Sequence, residues 1–143
     1  MSKEKILQID GVDIRLVKIS PSIGLPLTAR LAKMLGGSMV KLASGMGKSE
    51  KAQIGVMSSA IDDIAERVEP EELYGFINDV VTSGFVFANG NKITHIDDLG
   101  MFEDSDPYFL ALMITKEQLT FSFGGFLGKL VANQGSSKGK AKK

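Results

Sequence analysis

A chain of 143 residues and 15.4 kDa suits one domain, able to bury roughly two-thirds of the surface that its unfolded form exposes. Its seventeen basic and seventeen acidic side chains cancel, so no overall field selects nucleic acid or an anionic membrane as a partner. The absence of cysteine excludes disulfides, thiolate metal sites and a cysteine nucleophile, and it fits a reducing cytoplasm.

The start, Met1 to Lys5, is charged rather than apolar like a signal peptide, and no stretch has the ~20 continuous apolar residues needed to span a bilayer. The chain therefore reads as soluble and unexported. From Lys5 to Ile19 the pattern is a β-hairpin centred on Asp10-Gly11, a pair that supplies the positive backbone angles of a two-residue type I′ turn. That turn sets Ile9 against Val12, Leu7 against Ile14 and Lys5 against Leu16 on one nearly apolar face. Gln8 opposite Asp13 and Ile6 opposite Arg15 fall on the other. A lone hairpin is marginal in water, so the apolar face must pack on helices or join another sheet, a neighbouring subunit's included.

Pro21, Gly24 and Pro26 break the chain before a helix from Leu27 to Leu35, which Gly36-Gly37 stops. Ser38 to Glu50, rich in glycine and serine, reads as a flexible connection with room for one helical turn at Met39, Val40 and Leu42. Ile54, Met57, Ile61, Ile64 and Val68 alternate steps of three and four, predicting an amphipathic helix over 50–68. Pro70 opens the next helix, with Glu71 and Glu72 beside its positive dipole end and Leu73, Phe76, Ile77, Val80 and Val81 as its core face. These two helices are expected to pair antiparallel. Gly84 ends the second, and Phe85–Ala88, Asn89-Gly90 and Asn91–Thr94 form a second short hairpin.

Asp97 to Asp106 is acidic and turn-like, and Ser105 or Asp106 caps a long last helix reaching Val131. The chain is organised around this helix. Positions 109, 112, 113, 116, 119, 120, 123, 126, 127 and 130 share one face, apolar except for Lys116 and Thr120, while Leu110, Ile114 and Phe121 point elsewhere. A helix apolar on more than one side is either wrapped by its own domain or shared with another molecule. Gly124-Gly125 and Gly128 predict a kink or a close helix contact. Gly135 to Lys143, built of Gly, Ser and Lys with one Ala, is expected to be disordered.

Little in the chain carries chemistry. Gly45-Met46-Gly47-Lys48-Ser49 ends like a phosphate-binding loop, but the first glycine of that motif would fall at Leu42, and no buried strand leads into it. His95, the only histidine, would need a nucleophile and an orienting carboxylate to act as a base, and it reads better as a turn residue. Asp62-Asp63, Asp97-Asp98 and the Glu103, Asp104, Asp106 group lack calcium-loop spacing and read as solvated. The lysines of the tail, Lys138, Lys140, Lys142 and Lys143, have no interleaved aromatics and read as a solubilising end rather than a nucleic-acid site. The seven methionines are ordinary core residues by default, although adaptable methionine surfaces also suit a protein that grips varied segments.

Thr120-Phe121-Ser122-Phe123-Gly124-Gly125-Phe126-Leu127, with the opening Leu-Gln-Ile-Asp-Gly-Val-Asp-Ile-Arg-Leu-Val hairpin and the helical middle, resembles the tail assembly chaperones of long-tailed phages. Ser122 stands where such proteins often have Asn, and an extra glycine separates Phe123 from Phe126. The resemblance implies a non-catalytic protein of the infected host's cytoplasm that binds the tape measure protein, assists tail tube assembly and is absent from the mature virion. It also implies contact with the tail tube protein, self-association, and a longer product made by ribosomal frameshifting. The alternative is a small structural or adaptor component of a tail or head-tail connector, and a small enzyme is the third class. No cofactor and no metal is expected. Phe109, Leu112, Met113, Phe121, Phe123 and Phe126 are the candidate gripping surface, or else domain core. The fold expected is α+β and mainly α-helical: a hairpin over 5–19, a small helical bundle with a second short hairpin over 22–131, and one domain over 1–134 followed by a basic tail at 135–143.

Overall fold

A computed structural model describes residues 3–46 and 49–141. Two antiparallel hairpins make a single meander sheet, β1 (Glu4–Ile9), β2 (Val12–Val17), β3 (Val86–Ala88) and β4 (Asn91–Lys92), in that spatial order. Between β2 and β3 the chain runs through α1 (Pro21–Leu35), a 3-10 turn (Gly36–Ser38), α2 (Met39–Gly45), α3 (Glu50–Arg67) and α4 (Pro70–Val81). After β4 a second 3-10 turn (Ile96–Met101) leads into α5 (Pro107–Ala141). The architecture is α+β and mainly helical.

Both tight turns arise from residues that tolerate positive φ. Asp10 and Gly11 stand at 50° and 82°, and Asn89 and Gly90 at 48° and 87°. The first hairpin has the register read from the sequence, with Ile9 opposite Val12, Leu7 opposite Ile14 and Lys5 opposite Leu16. Its need for a further partner is met within the chain: β2 pairs with β3, setting Ile14 against Ala88, Arg15 against Phe87 and Leu16 against Val86.

Two expectations for the stretch between the first hairpin and α3 are corrected. Helix α1 begins at Pro21 rather than Leu27. Pro21 occupies the first turn, where a missing N–H has no intrahelical partner to lose. Pro26 lies inside the helix, and the bond it cannot make is to the carbonyl of the exposed Ser22, within reach of water. Most of the stretch from Ser38 to Glu50 is also not a loose connection, since α2 forms there and buries Leu42 and, just beyond its end, Met46. Gly45 serves close approach rather than flexibility: a Cβ at this position would collide with the Val56 side chain of α3.

Helix α5 packs against α2, α3, α4, the second 3-10 turn and the first hairpin. It belongs to both of the molecule's cores. Leu119, Phe123 and Leu127 join Leu31 and Leu35 of α1, Met57 and Ile64 of α3 and Phe76 of α4 in a helical core. Leu110 and Ile114, a little over a turn earlier, join Ile14, Leu16, Val86 and Leu99 in a core beneath the sheet. The buried face coincides with the expected one in part. Lys116, Leu119, Thr120, Phe123 and Leu127 of that face are buried, but Leu110, Ile114, Thr115 and Gln118 beside it are fully enclosed, whereas Phe109 and Phe126 remain 46% and 42% exposed. The cause is that the sheet lies against the side of the helix that carries Leu110 and Ile114.

At the crossing of the two cores sits a buried polar residue. Gln118 Nε2 donates to the carbonyls of Val17 and Phe85 at 3.0 and 3.1 Å, and its Oε1 accepts from Ser122 Oγ at 2.8 Å. Ser122 Oγ in turn accepts the Ile19 N–H at 3.1 Å. Nearby, Lys5 Nζ reaches Glu117 Oε1 at 3.1 Å, tying β1 to the same turn of α5. Elsewhere, Arg67 closes α1 by donating to the carbonyls of Met34 and Leu35 at 2.9 and 2.6 Å.

Asp106 caps α5 as expected, its Oδ1 accepting the N–H groups of Tyr108 and Phe109 at 2.9 and 3.4 Å. The helix extends past Val131 to Ala141, through residues where composition predicts disorder. Extending a formed helix costs far less than nucleating one, because each added residue gains a bond without a new first turn. Lys142 and Lys143 of the expected tail lie outside the described residues, as do the side chains of Leu130 and Val131.

Substitutions on α5 should separate core from surface. Phe123→Ala is expected to cost about 3–5 kcal/mol and Phe126→Ser under about 1 kcal/mol, read from urea unfolding followed by circular dichroism. Gln118→Ala should cost about 1–3 kcal/mol, and Gln118→Glu more, because its second oxygen would face two carbonyl oxygens without a proton to share.

Candidate partner-binding groove

An open, largely apolar groove lies where α4, the second 3-10 turn and the start of α5 meet. On α4 the heptad-like face that buries Phe76, Val80 and Val81 leaves Leu73, Tyr74 and Ile77 toward a groove of about 580 Å³. Ile96, Asp97 and Gly100 of the 3-10 turn form a second wall. Pro107, Tyr108, Ala111 and Leu112 of α5 form the third. Folding leaves two of its lining aromatics uncovered, Tyr108 at 85% exposed and Tyr74 at 56%, and Met101, next in sequence to the lining Gly100, is 73% exposed. Such clustering of uncovered aromatic and sulfur side chains is the composition of a protein interface rather than of ordinary surface.

The lining offers one carboxylate, Asp97, and the phenol groups of Tyr74 and Tyr108. Its chemistry is that of contact: burial of apolar side chains, with a few polar groups to set orientation.

The second wall is fixed by hydrogen bonds within the turn. Asp98 Oδ2 accepts the N–H groups of Thr94 and His95, each at 3.1 Å, while His95 Nδ1 accepts the Asp97 N–H at 3.1 Å. His95 is thus an exposed helix-capping residue. The backbone N–H groups of His95 and then Thr94 hold the Asp98 carboxyl below its ordinary 3.8.

The six residues singled out from the sequence do not form one patch. Leu112 lines the groove, and Phe109 follows Tyr108 on the exposed start of α5. Met113 and Phe121 are half-buried against the sheet core, with Lys18 Nζ 5.4 Å from the Phe121 ring centroid. Phe123 is buried in the helical core, where its Cε1 would stand 3.0 Å from a Cβ on Gly24. Phe126 is exposed about 27 Å further along the helix than Tyr108, at 1.5 Å per residue. Sequence reasoning missed Tyr74, Tyr108 and Ile96 as groove residues. For Tyr74 a signal existed, since a large aromatic stands off the core face that Phe76, Val80 and Val81 define.

The phosphate-loop look-alike dissolves into structure. Helix α2 leads into it, Met46 is buried, and Ser49 caps α3 by accepting the Ala52 N–H at 3.3 Å. Gly47 and Lys48 lie outside the described residues. Among the described residues no three acidic or histidine side chains converge to hold a metal ion, and no helix is long and apolar enough to cross a membrane.

Over residues 10–136 the chain matches the model of a protein family described as phage tail assembly chaperone protein, TAC. No curated protein and no solved structure shows significant similarity to it.

Acid should loosen the groove's second wall. Asp98 has a lowered folded pKa, so its contribution is complete above the ordinary carboxylate value and is lost as pH falls through the lower folded one. Carbon NMR titration of the Asp98 carboxyl should show a midpoint below 3.8, with the amide signals of the turn shifting together with it. A midpoint at or above the ordinary value would mean that the turn's hydrogen bonds do not hold in solution.

Proposed function

The protein belongs to the phage tail assembly chaperone family, and on that footing we propose that it binds the tape measure protein and keeps it assembly-competent while the tail tube forms around it. It works without catalysis, in the cytoplasm of the infected cell, and leaves before the virion is complete. The tail tube protein is a second partner in the same assembly. Copies of the chain associate while they do this work. A longer frameshifted product, if the gene encodes one, would carry the same domain on an extended chain.

The single observation that carries this reading is the uncovered groove between α4 and α5 with Tyr74 and Tyr108 on its walls. A tape measure is a long helical chain whose apolar stripes need cover until the tube encloses them. A groove between helices binds such a stripe by laying the apolar face of the partner into it. Of the candidate gripping residues, Leu112 and Phe109 stand at or beside this groove. Phe123, buried in the helical core, supports the fold instead.

Co-expression with the tape measure protein, followed by pull-down, tests the proposal. The wild-type chain should retain soluble tape measure protein, and Tyr108→Ser with Phe109→Ser should lower recovery about ten-fold without altering the circular dichroism spectrum. Failure of the wild type to retain it would refute the proposal. Abundance of the protein in purified virions would favour a structural tail component in its place.

A further inference from the structure

Charge is spread unevenly along this neutral chain, and the groove lies in its most acidic part. Between residues 62 and 117 there are thirteen carboxylates against three basic side chains, Arg67, Lys92 and Lys116. The groove is lined wholly from this stretch, contains no lysine or arginine, and includes the Asp97 carboxylate. Glu71 follows the lining Pro70 on the first turn of α4, and Asp106 precedes the lining Pro107 at the start of α5; both are exposed. Two of the three basic groups of the same stretch are engaged elsewhere: Arg67 closes α1 and Lys92 lies toward the Phe87 ring on the sheet. Lys116, one turn past the lining Leu112, is itself buried and is not part of the lining.

We infer that the groove accepts an amphipathic helix of a partner protein whose apolar stripe is flanked by lysine or arginine. The inference rests on the binding role proposed above and adds the chemistry that selects the bound segment. An apolar floor takes side chains spaced one helical turn apart, while an acidic rim speeds the approach of a basic partner and rejects an acidic one. The chain's own basic end does not meet this description. From residue 132 onward its only apolar side chains are Ala132 and Ala141. Helix α5 also carries Lys138 about 46 Å along its axis from Pro107, away from the groove of its own molecule.

A fluorescent peptide of about 16 residues, with leucines at helical spacing flanked by lysines, provides the probe, beside an otherwise identical peptide with glutamates for the lysines. On the full chain the lysine peptide should bind about ten-fold tighter than the glutamate peptide, with the preference shrinking in about 0.5 M salt. Reversing the rim with Glu71→Lys and Asp97→Lys should remove the preference, with folding checked by circular dichroism. Tyr108→Ser should weaken both peptides. Equal affinity for the two peptides, indifference to Tyr108→Ser, or absence of binding overturns the inference. Lysine-peptide binding by a chain that does not retain tape measure protein overturns only the identity of the partner. Self-association that is lost on removing residues 135–143 would make the tail of a second copy the occupant and would overturn the inference too.

Discussion

A buried glutamine cannot leave its amide unpaired, and that constraint positions the rest of this molecule. Gln118 is fully enclosed, and its donors have two acceptors, the carbonyls of Val17 at the end of β2 and of Phe85 just before β3. Those carbonyls mark where the chain leaves the sheet for the helices and where it returns. The amide therefore sets the register of α5 at the seam between sheet and bundle, and any slide or rotation would leave it, and Ser122 beside it, without partners. Apolar contacts tolerate small shifts; this network does not.

From that register follows a division of labour along one helix. Leu110 and Ile114 are held under the sheet, and Leu119, Phe123 and Leu127 among the helices. The flank bearing Tyr108 and Phe109 is turned outward beside α4, where the groove forms. The binding role proposed here asks for a rigid body that still offers apolar surface, and these two demands conflict on a helix with a single apolar face. Here they are met because the apolar residues of α5 point in more than one direction. The Phe-Ser-Phe-Gly-Gly-Phe segment belongs mostly to the rigid part: Ser122 completes the polar network, Phe123 packs on Gly24, and Gly124 lies 3.6 Å from Met46 Sδ when a Cβ is placed on it.

Local rules made much of the fold legible. Turn chemistry at Asp10-Gly11 and Asn89-Gly90 gave both hairpins, and the first one's register followed from counting outward from the turn. Period and punctuation placed α3, the start of α4 and the Asp106 cap. What escaped depends on contacts between distant residues. Glycine at position 45 signals flexibility in isolation but is required by Val56 of the next helix, and Pro26 is tolerated because the bond it forfeits faces solvent. The joining of β2 to β3 bridges the whole helical middle, and no periodicity reports such a pairing. The groove was least legible, since three segments meet there and Tyr74 and Ile96 acquire meaning only once α4 and the 3-10 turn are set beside Tyr108.

The central claim is that the inner face of α5 is committed to folding and only its outer flank, with α4, is left for a partner. Amide hydrogen exchange on the free protein and on its complex with tape measure protein tests this most directly. The account predicts that amides from Ile114 to Leu127 exchange only through global unfolding in the free protein, and that the complex adds protection over 70–77 and 96–112. New protection confined to β1 or to residues 120–127, or fast independent opening of the 114–127 segment, would contradict it.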